Sequence, residues 1–225
     1  MLRALLNVLA IVAGILLIPA AAFACEGGKV LMEDNFSKLN RAWGVAVDPK
    51  LERIDGEGLS TDYPPGTVKR AISQWGFFDN AVVCATYKVT YNCTDADRCE
   101  TQPYVGLIVW GVDLENYYAF EVAPLVGIYS VQRLQNNKWL TPVNWTALPG
   151  NRKFAAGDEV KLSADMKGNM VTFKVDNRPV IEFEAAAPEG GSLVGFELAA
   201  AQTGRSKTQL NLSRFEVREL APESQ

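Results

Sequence analysis

Between Tyr104 and Leu140 apolar runs alternate with short polar breaks: YVGLIVW, then Gly111-Val112-Asp113, YYAFEV, then Pro124 to Gly127, IYSVQRL, then Gln135-Asn136-Asn137-Lys138. Each run is six or seven residues long, rich in β-branched and aromatic side chains, and bounded by turn formers. That is the pattern of three consecutive antiparallel strands. Upstream, strands are predicted at Lys29–Phe36, Asn40–Val47, Val68–Trp75 and Asn80–Tyr91, with a short hairpin over Leu51–Leu59 and a loop at Asp62–Gly66. Downstream, Trp139–Trp145 reads as an extension of the meander into a loop-like region, and Asn144–Ala156 as turn-rich. Glu159–Met166, Met170–Val175 and Pro179–Glu184 follow, then Leu193–Leu198 and Thr208–Arg218. Val171-Thr172-Phe173-Lys174-Val175 alternates strictly, as a strand with one wet face does. No stretch beyond the first 24 residues keeps a helical period. Strands about ten residues apart throughout predict an all-β, antiparallel sandwich or jelly roll.

The N-terminus obeys a different pattern. Arg3 precedes the apolar Leu5–Ile18, and Pro19 precedes Ala20-Ala21-Ala22-Phe23-Ala24. This predicts a secretory signal over residues 1–24 with cleavage after Ala24; a retained anchor helix is the competing reading. Residues 25–225 would then form one β-sandwich domain exported to a bacterial periplasm or beyond. Cys25 follows the cleavage site, but the bulky Phe23 argues against lipoprotein processing there. Cys25, Cys84, Cys93 and Cys99 are the four cysteines, and an even count in an exported chain favours disulfides. Cys93 with Cys99 and Cys25 with Cys84 is the natural pairing, although spacing alone leaves three arrangements open.

Charge and composition exclude several functions. The chain carries a net −4 and has no histidine; the one charge in residues 1–24 is Arg3, so export would leave the remainder more acidic still. Phosphate binding needs clustered basic side chains, and no such run is longer than Lys69-Arg70, so nucleic acid is not an expected partner. Without imidazole there is no Ser-His-Asp or Cys-His machinery and no histidine metal ligand.

Particular motifs now carry a family resemblance. Asp34-Asn35-Phe36 with Trp43, Gly106-Leu107-Ile108-Val109-Trp110 with Asn116-Tyr117-Tyr118, and Gly127–Leu134 with Trp139 resemble conserved features of concanavalin A-like jelly rolls. So do Asp176-Asn177-Arg178-Pro179-Val180 and the closing Arg214-Phe215-Glu216-Val217. The resemblance spans residues 29–219 and is nearest to exported 3-keto-disaccharide hydrolase-like and laminin-G-like domains. It implies a jelly roll whose concave sheet can hold a sugar. It does not imply one activity, since the motifs are structural.

Carboxylates are the acid–base groups that remain, and a pair can cleave a glycosidic bond. Glucanases of this fold carry Glu-x-Asp-x-x-Glu; the nearest segment here, Gly111–Asn116, has glycine and asparagine in the glutamate positions. Were the protein an enzyme, Glu121 with Asp113 or Glu115 would be the acids to test. Glu121 falls on the strand face of Tyr117 and Ala119, with Arg133 in the next strand. These two are read either as a cross-strand ion pair or as the polar centre of a concave sugar site. Trp43 and Trp75 read as core. Trp110, on the face of Gly106 and Ile108, opens onto the groove in this reading, and Trp139 and Trp145 are the candidate stacking residues. Calcium is the cofactor left open: Asn92–Glu100 holds Asp95, Asp97 and Glu100 without an EF-hand pattern. Three functions follow: a non-catalytic binder of glycan or cell-envelope material, a glycoside-processing hydrolase, or a structural or interaction domain.

Overall fold

The computed structural model describes residues 25–91 and 101–221. Fourteen strands in this part of the chain form two antiparallel sheets. The larger contains β1 (Val30–Asp34), β2 (Glu52–Ile54), β3 (Leu59–Tyr63), β5 (Ala81–Thr90), β10 (Glu159–Lys167), β11 (Met170–Val175), β12 (Arg178–Glu184) and β14 (Thr208–Glu219). It runs β12-β11-β10-β5-β14-β3-β2, with β1 also on β14. The smaller has the order β4-β13-β6-β7-β8-β9. Its strands are β4 (Val68–Ile72), β6 (Tyr104–Asp113), β7 (Asn116–Ala123), β8 (Ile128–Gln135), β9 (Lys138–Ala147) and β13 (Leu193–Ala199). The predicted meander is therefore β6 to β9, and the predicted all-β sandwich is the fold.

Alternation builds the core. Val105, Leu107 and Val109 of β6 and Tyr118, Phe120 and Val122 of β7 point inward, where they meet Val83, Tyr87, Phe173 and Phe215 of the other sheet. Phe120 stacks on Phe173 with centroids 4.6 Å apart, and the buried Tyr87 hydroxyl crosses the core to donate to the Gly106 carbonyl at 2.6 Å. Hydrophobic burial is the main favourable term, and the hydroxyl's hydrogen bond removes the penalty of enclosing it.

Two expected features are corrected here. Asn40–Val47 is not a strand: Arg41–Trp43 is a single 3-10 turn. Asn40 caps it by accepting from Ala42 N at 3.0 Å, and Gly44 ends it at φ 66°, a left-handed conformation that glycine adopts without a Cβ clash. The turn drives Trp43 inward, against Phe196 and Phe215 at 4.9 and 5.0 Å. Its Nε1 donates to Asp34 Oδ2 at 2.9 Å, and Asp34 Oδ1 accepts from Phe36 N at 2.7 Å. The Asp-x-Phe and Trp elements of the opening motif thus form one buried knot. Trp75, expected in the core, is 42% exposed because β4 stops at Ile72 and the strand alternation stops with it.

Cys25 and Cys84 form a disulfide with Cα atoms 5.8 Å apart, tying the N-terminal segment to the outer face of β5. Cys93 and Cys99 lie outside the described residues. No helix among the described residues is long and apolar enough to cross a membrane.

Candidate functional site

The outer face of the smaller sheet carries an unusual row of side chains. Register places Arg70 of β4 opposite Glu197 of β13, Glu197 opposite Gly106 of β6, Gly106 opposite Glu121 of β7, and Glu121 opposite Ser130 of β8. Paired residues share a face, so all five point away from the core. The glycine in the middle lets its neighbours lean together. A Cβ built there would lie 3.4 Å from Glu197 Cβ and 3.6 Å from Glu121 Cγ.

Each carboxylate has its own partners. Glu197 receives Arg70 at 2.7 Å and the Tyr104 hydroxyl at 3.3 Å, and is fully buried. Glu121, 4% exposed, accepts from the Ser130 hydroxyl at 3.0 Å. Burial pushes the Glu121 carboxyl up to about 8, the Glu197 charge adds to this, and Ser130 and Arg70 pull against it. Burial also raises Glu197, against the pull of Arg70. A carboxyl in an apolar enclosure beside a second carboxyl holds its proton because ionisation would add an unsolvated negative charge.

Strand β9 supplies the wall. Trp139 sets its edge against Tyr117 at 6.0 Å, and the Arg70 guanidinium lies 5.0 Å from the centre of the Trp139 ring. Trp145 meets Tyr104 edge-on at 5.7 Å. Both tryptophans stay exposed, at 44% and 41%. Between them runs an open groove of about 400 Å³, lined also by Glu121, Gln132, Thr141 and Asn144. Thr141 donates to Gln132 Oε1 at 2.9 Å. On the same outer face, Ile108, Ala119, Tyr117 and Leu134 form a small apolar cluster with Ile72.

Among the residues singled out in the sequence, Glu121, Trp139 and Trp145 come together here. Glu121 does share the face of Tyr117 and Ala119. Arg133 does not: it is opposite Tyr118, on the other face from Glu121, with its guanidinium 5.0 Å from the Tyr118 ring. The cross-strand pairing of Glu121 with Arg133 is thus replaced by Glu121 with Ser130. Trp110 also leaves the groove. Strand β6 runs on through Asp113 where a turn was expected at Gly111, and pairing is irregular between Val109 and Asp113. Trp110 sits in that bulge at φ 50°, which turns its side chain to the inner face, edge-on to Tyr118 at 5.7 Å and 4% exposed. Bulges redirect side chains in this way.

Asp113 and Glu115 occupy the exposed β6–β7 turn, where Asp113 Oδ1 accepts from Glu115 N at 2.7 Å. Glu121 is five residues beyond Asn116 along β7, roughly 16 Å at the usual strand rise. These acids do not join it. The carboxylate that does is Glu197, unmarked in the sequence because Val-Gly-Phe-Glu-Leu-Ala reads as an ordinary strand with one outward polar residue. Arg70 and Tyr104 were likewise not expected at the site. Among the described residues no group of three or more acidic or cysteine side chains is arranged to hold a metal ion; the Asn92–Glu100 loop considered for calcium lies outside them.

No family model matches the chain, and no curated protein sequence matches it. Solved structures do resemble it in fold. A β-glucanase of Bacillus licheniformis superposes with a TM-score of 0.58 at 7% identity, over 86% of this chain and 99% of the glucanase. A glycosyl hydrolase family protein of Mycobacterium fortuitum gives 0.53 at 14% identity, over 84% and 99%. The carbohydrate-binding module CBM66 of Bacillus subtilis gives 0.50 at 12% identity, over 70% and 86%. The fold defines the class: a jelly-roll β-sandwich.

Proposed function

We propose that the outer face of the smaller sheet is a glycan-binding groove, and that the protein is an exported, non-catalytic carbohydrate-binding sandwich acting on glycan or cell-envelope material. One observation carries the reading: two exposed tryptophans, Trp139 and Trp145, flank a groove floored by hydrogen-bonding groups. A sugar ring presents C–H faces and hydroxyl edges, so it needs an aromatic plane and polar groups at once. Gln132, Thr141, Asn144, Tyr104 and Glu121 supply the polar part. The folds that superpose on this one include a carbohydrate-binding module and a glucanase, which supports a sugar as ligand. An apolar leader ending in Ala-Phe-Ala and the Cys25–Cys84 disulfide support export to an oxidising compartment. An interaction domain without a sugar site would have buried Trp139 and Trp145. The test is electrophoresis of the purified protein through native gels containing soluble polysaccharides. Retardation by at least one polysaccharide, lost in Trp145→Ala, is expected; unretarded migration through the whole panel would reject the reading.

A second reading, glycoside processing, is favoured by the Glu121–Glu197 row. An acid held protonated near neutrality beside a second carboxyl is what a general acid requires. The 3-keto-disaccharide hydrolase-like group is the form of it that the sequence resemblance suggests. It stands second because Glu197 is fully enclosed and committed to Arg70, whereas hydrolysis by a carboxylate pair needs both groups at the substrate. Release of new reducing ends from a retained glycan, abolished by Glu121→Gln, would move the assignment to this reading.

A further inference from the structure

We infer that this groove selects glycans bearing a free amine, with the ammonium seated on Glu121 beside the Tyr104–Trp145 corner, over their N-acetylated counterparts. The inference rests on the glycan-binding reading and names the ligand class for the same groove.

The charges around Glu121 do not balance. From β4 comes Arg70, from β13 Glu197, from β6 Tyr104, from β7 Tyr117 and Glu121 itself, and from β8 Ser130 and Gln132. Strand β9 contributes Trp139, Thr141, Asn144 and Trp145, none of them charged. Among the described residues, therefore, one guanidinium serves two carboxyl groups, and it is bonded to Glu197 at 2.7 Å. Glu121 has one hydroxyl partner, Ser130.

A cation fits where a neutral group or an anion does not. An ammonium placed on Glu121 supplies the counter-charge that lets its carboxyl ionise, and donates hydrogen bonds of the charge-assisted kind. The Tyr104 and Trp145 rings, 5.7 Å apart and edge-on, offer π-faces that attract it further. An N-acetyl group brings no charge, and a uronic acid would add a third carboxylate. The proton that burial keeps on Glu121 around neutrality is released as the ammonium arrives, so binding and ionisation are linked.

The experiment is calorimetric titration of the purified protein with chitosan oligosaccharides and with chitin oligosaccharides of matched length. At about pH 7 the amine form is expected to bind about ten- to a hundredfold more tightly, the range of a charge-assisted hydrogen bond. Chitosan amines are only partly charged at about pH 7 and fully charged towards about pH 5, where Glu121 holds its proton, so below about pH 6 the preference should shrink by up to about tenfold per pH unit. Glu121→Gln should remove the preference, so that the amine and N-acetylated forms bind with equal affinity. Equal affinity for the two forms in the wild-type protein would overturn the inference and leave the glycan-binding reading standing. Absence of binding by either, with Trp139→Ala and wild type alike in folding and silence, would overturn both.

Discussion

Glu121 and Glu197 stand on opposite sides of Gly106, on strands β7 and β13, with no side chain between them. Adjacent strands lie about 4.8 Å apart, so their backbones are roughly 10 Å apart, and the missing Cβ lets both side chains lean over the gap. The space is narrow. A methyl group at position 106 would lie 3.1 Å from the Phe120 carbonyl oxygen, in addition to its contacts with the two glutamates. Gly106→Ala is therefore expected to cost about 1–2 kcal/mol of stability, as overpacking does, and to weaken glycan binding by parting the row. Urea melts alongside binding titrations check it; unchanged binding would show that the convergence of the two acids is unimportant to the groove.

Stability should depend on pH through Glu121. Its carboxyl rises from the usual 4.5 to about 8 on folding. The folded state thus keeps a proton that the unfolded chain has released. The resulting stabilisation is complete below about pH 4.5 and is lost as pH rises through about 8, with a slope of up to about 1.4 kcal/mol per unit in between. Glu121→Gln should flatten this part of the curve. Denaturant unfolding measured at intervals across that window would reveal the difference, and identical slopes in the two proteins would contradict the burial argument.

The Trp43–Asp34 knot should matter more than its small size suggests. Trp43→Phe removes the Nε1 donor to a carboxylate that is 8% exposed and leaves a gap against Phe196 and Phe215. Asp34 Oδ2 keeps its hydrogen bond from Asn40 Nδ2 at 3.0 Å, so a loss of about 2–3 kcal/mol is expected from the lost indole hydrogen bond and the cavity together. Trp75→Phe, at a half-exposed ring, should stay within about 0.5 kcal/mol. Comparable effects at the two positions in thermal melts would contradict this assignment of roles.

Reduction of Cys25–Cys84 opens a loop closed over 59 residues. Chain-entropy arguments place the stabilisation from such a closure at about 4 kcal/mol. A clear fall in Tm under reductant, reproduced by Cys84→Ala, is expected. An unchanged Tm would show that the N-terminal segment adds nothing to the fold.

The sandwich was legible because alternation is a local property. Tyr117-Tyr118-Ala119-Phe120-Glu121-Val122 announces its two faces without help from any other strand, and this put Glu121 on the correct side. The row that gives Glu121 its chemistry is not local. Arg70, Gly106, Glu121 and Glu197 lie far apart in the chain and meet only through the order β4-β13-β6-β7, which no short motif encodes. Arg133 stands three residues along β8 from Ser130, the true partner of Glu121, and an odd offset puts a side chain on the opposite face. Trp110 obeyed parity up to Ile108 and was then turned inward by a bulge. Gly111 just beyond it is the available signal, and it marks the bulge within β6 and not the end of the strand. Trp139 and Trp145 were identified as exposed, although they stand on strand β9 and not in a loop.

The measurement that bears most directly on the account is a glycan array probed with the wild-type protein, Trp139→Ala and Glu121→Ala, each shown to be folded. Binding by the wild type to a defined set of glycans, lost in both variants and without turnover of the bound sugar, is the predicted result. Silence of the folded wild type across the array, or binding that survives both substitutions, would contradict the claim that the outer face of the smaller sheet is a sugar site.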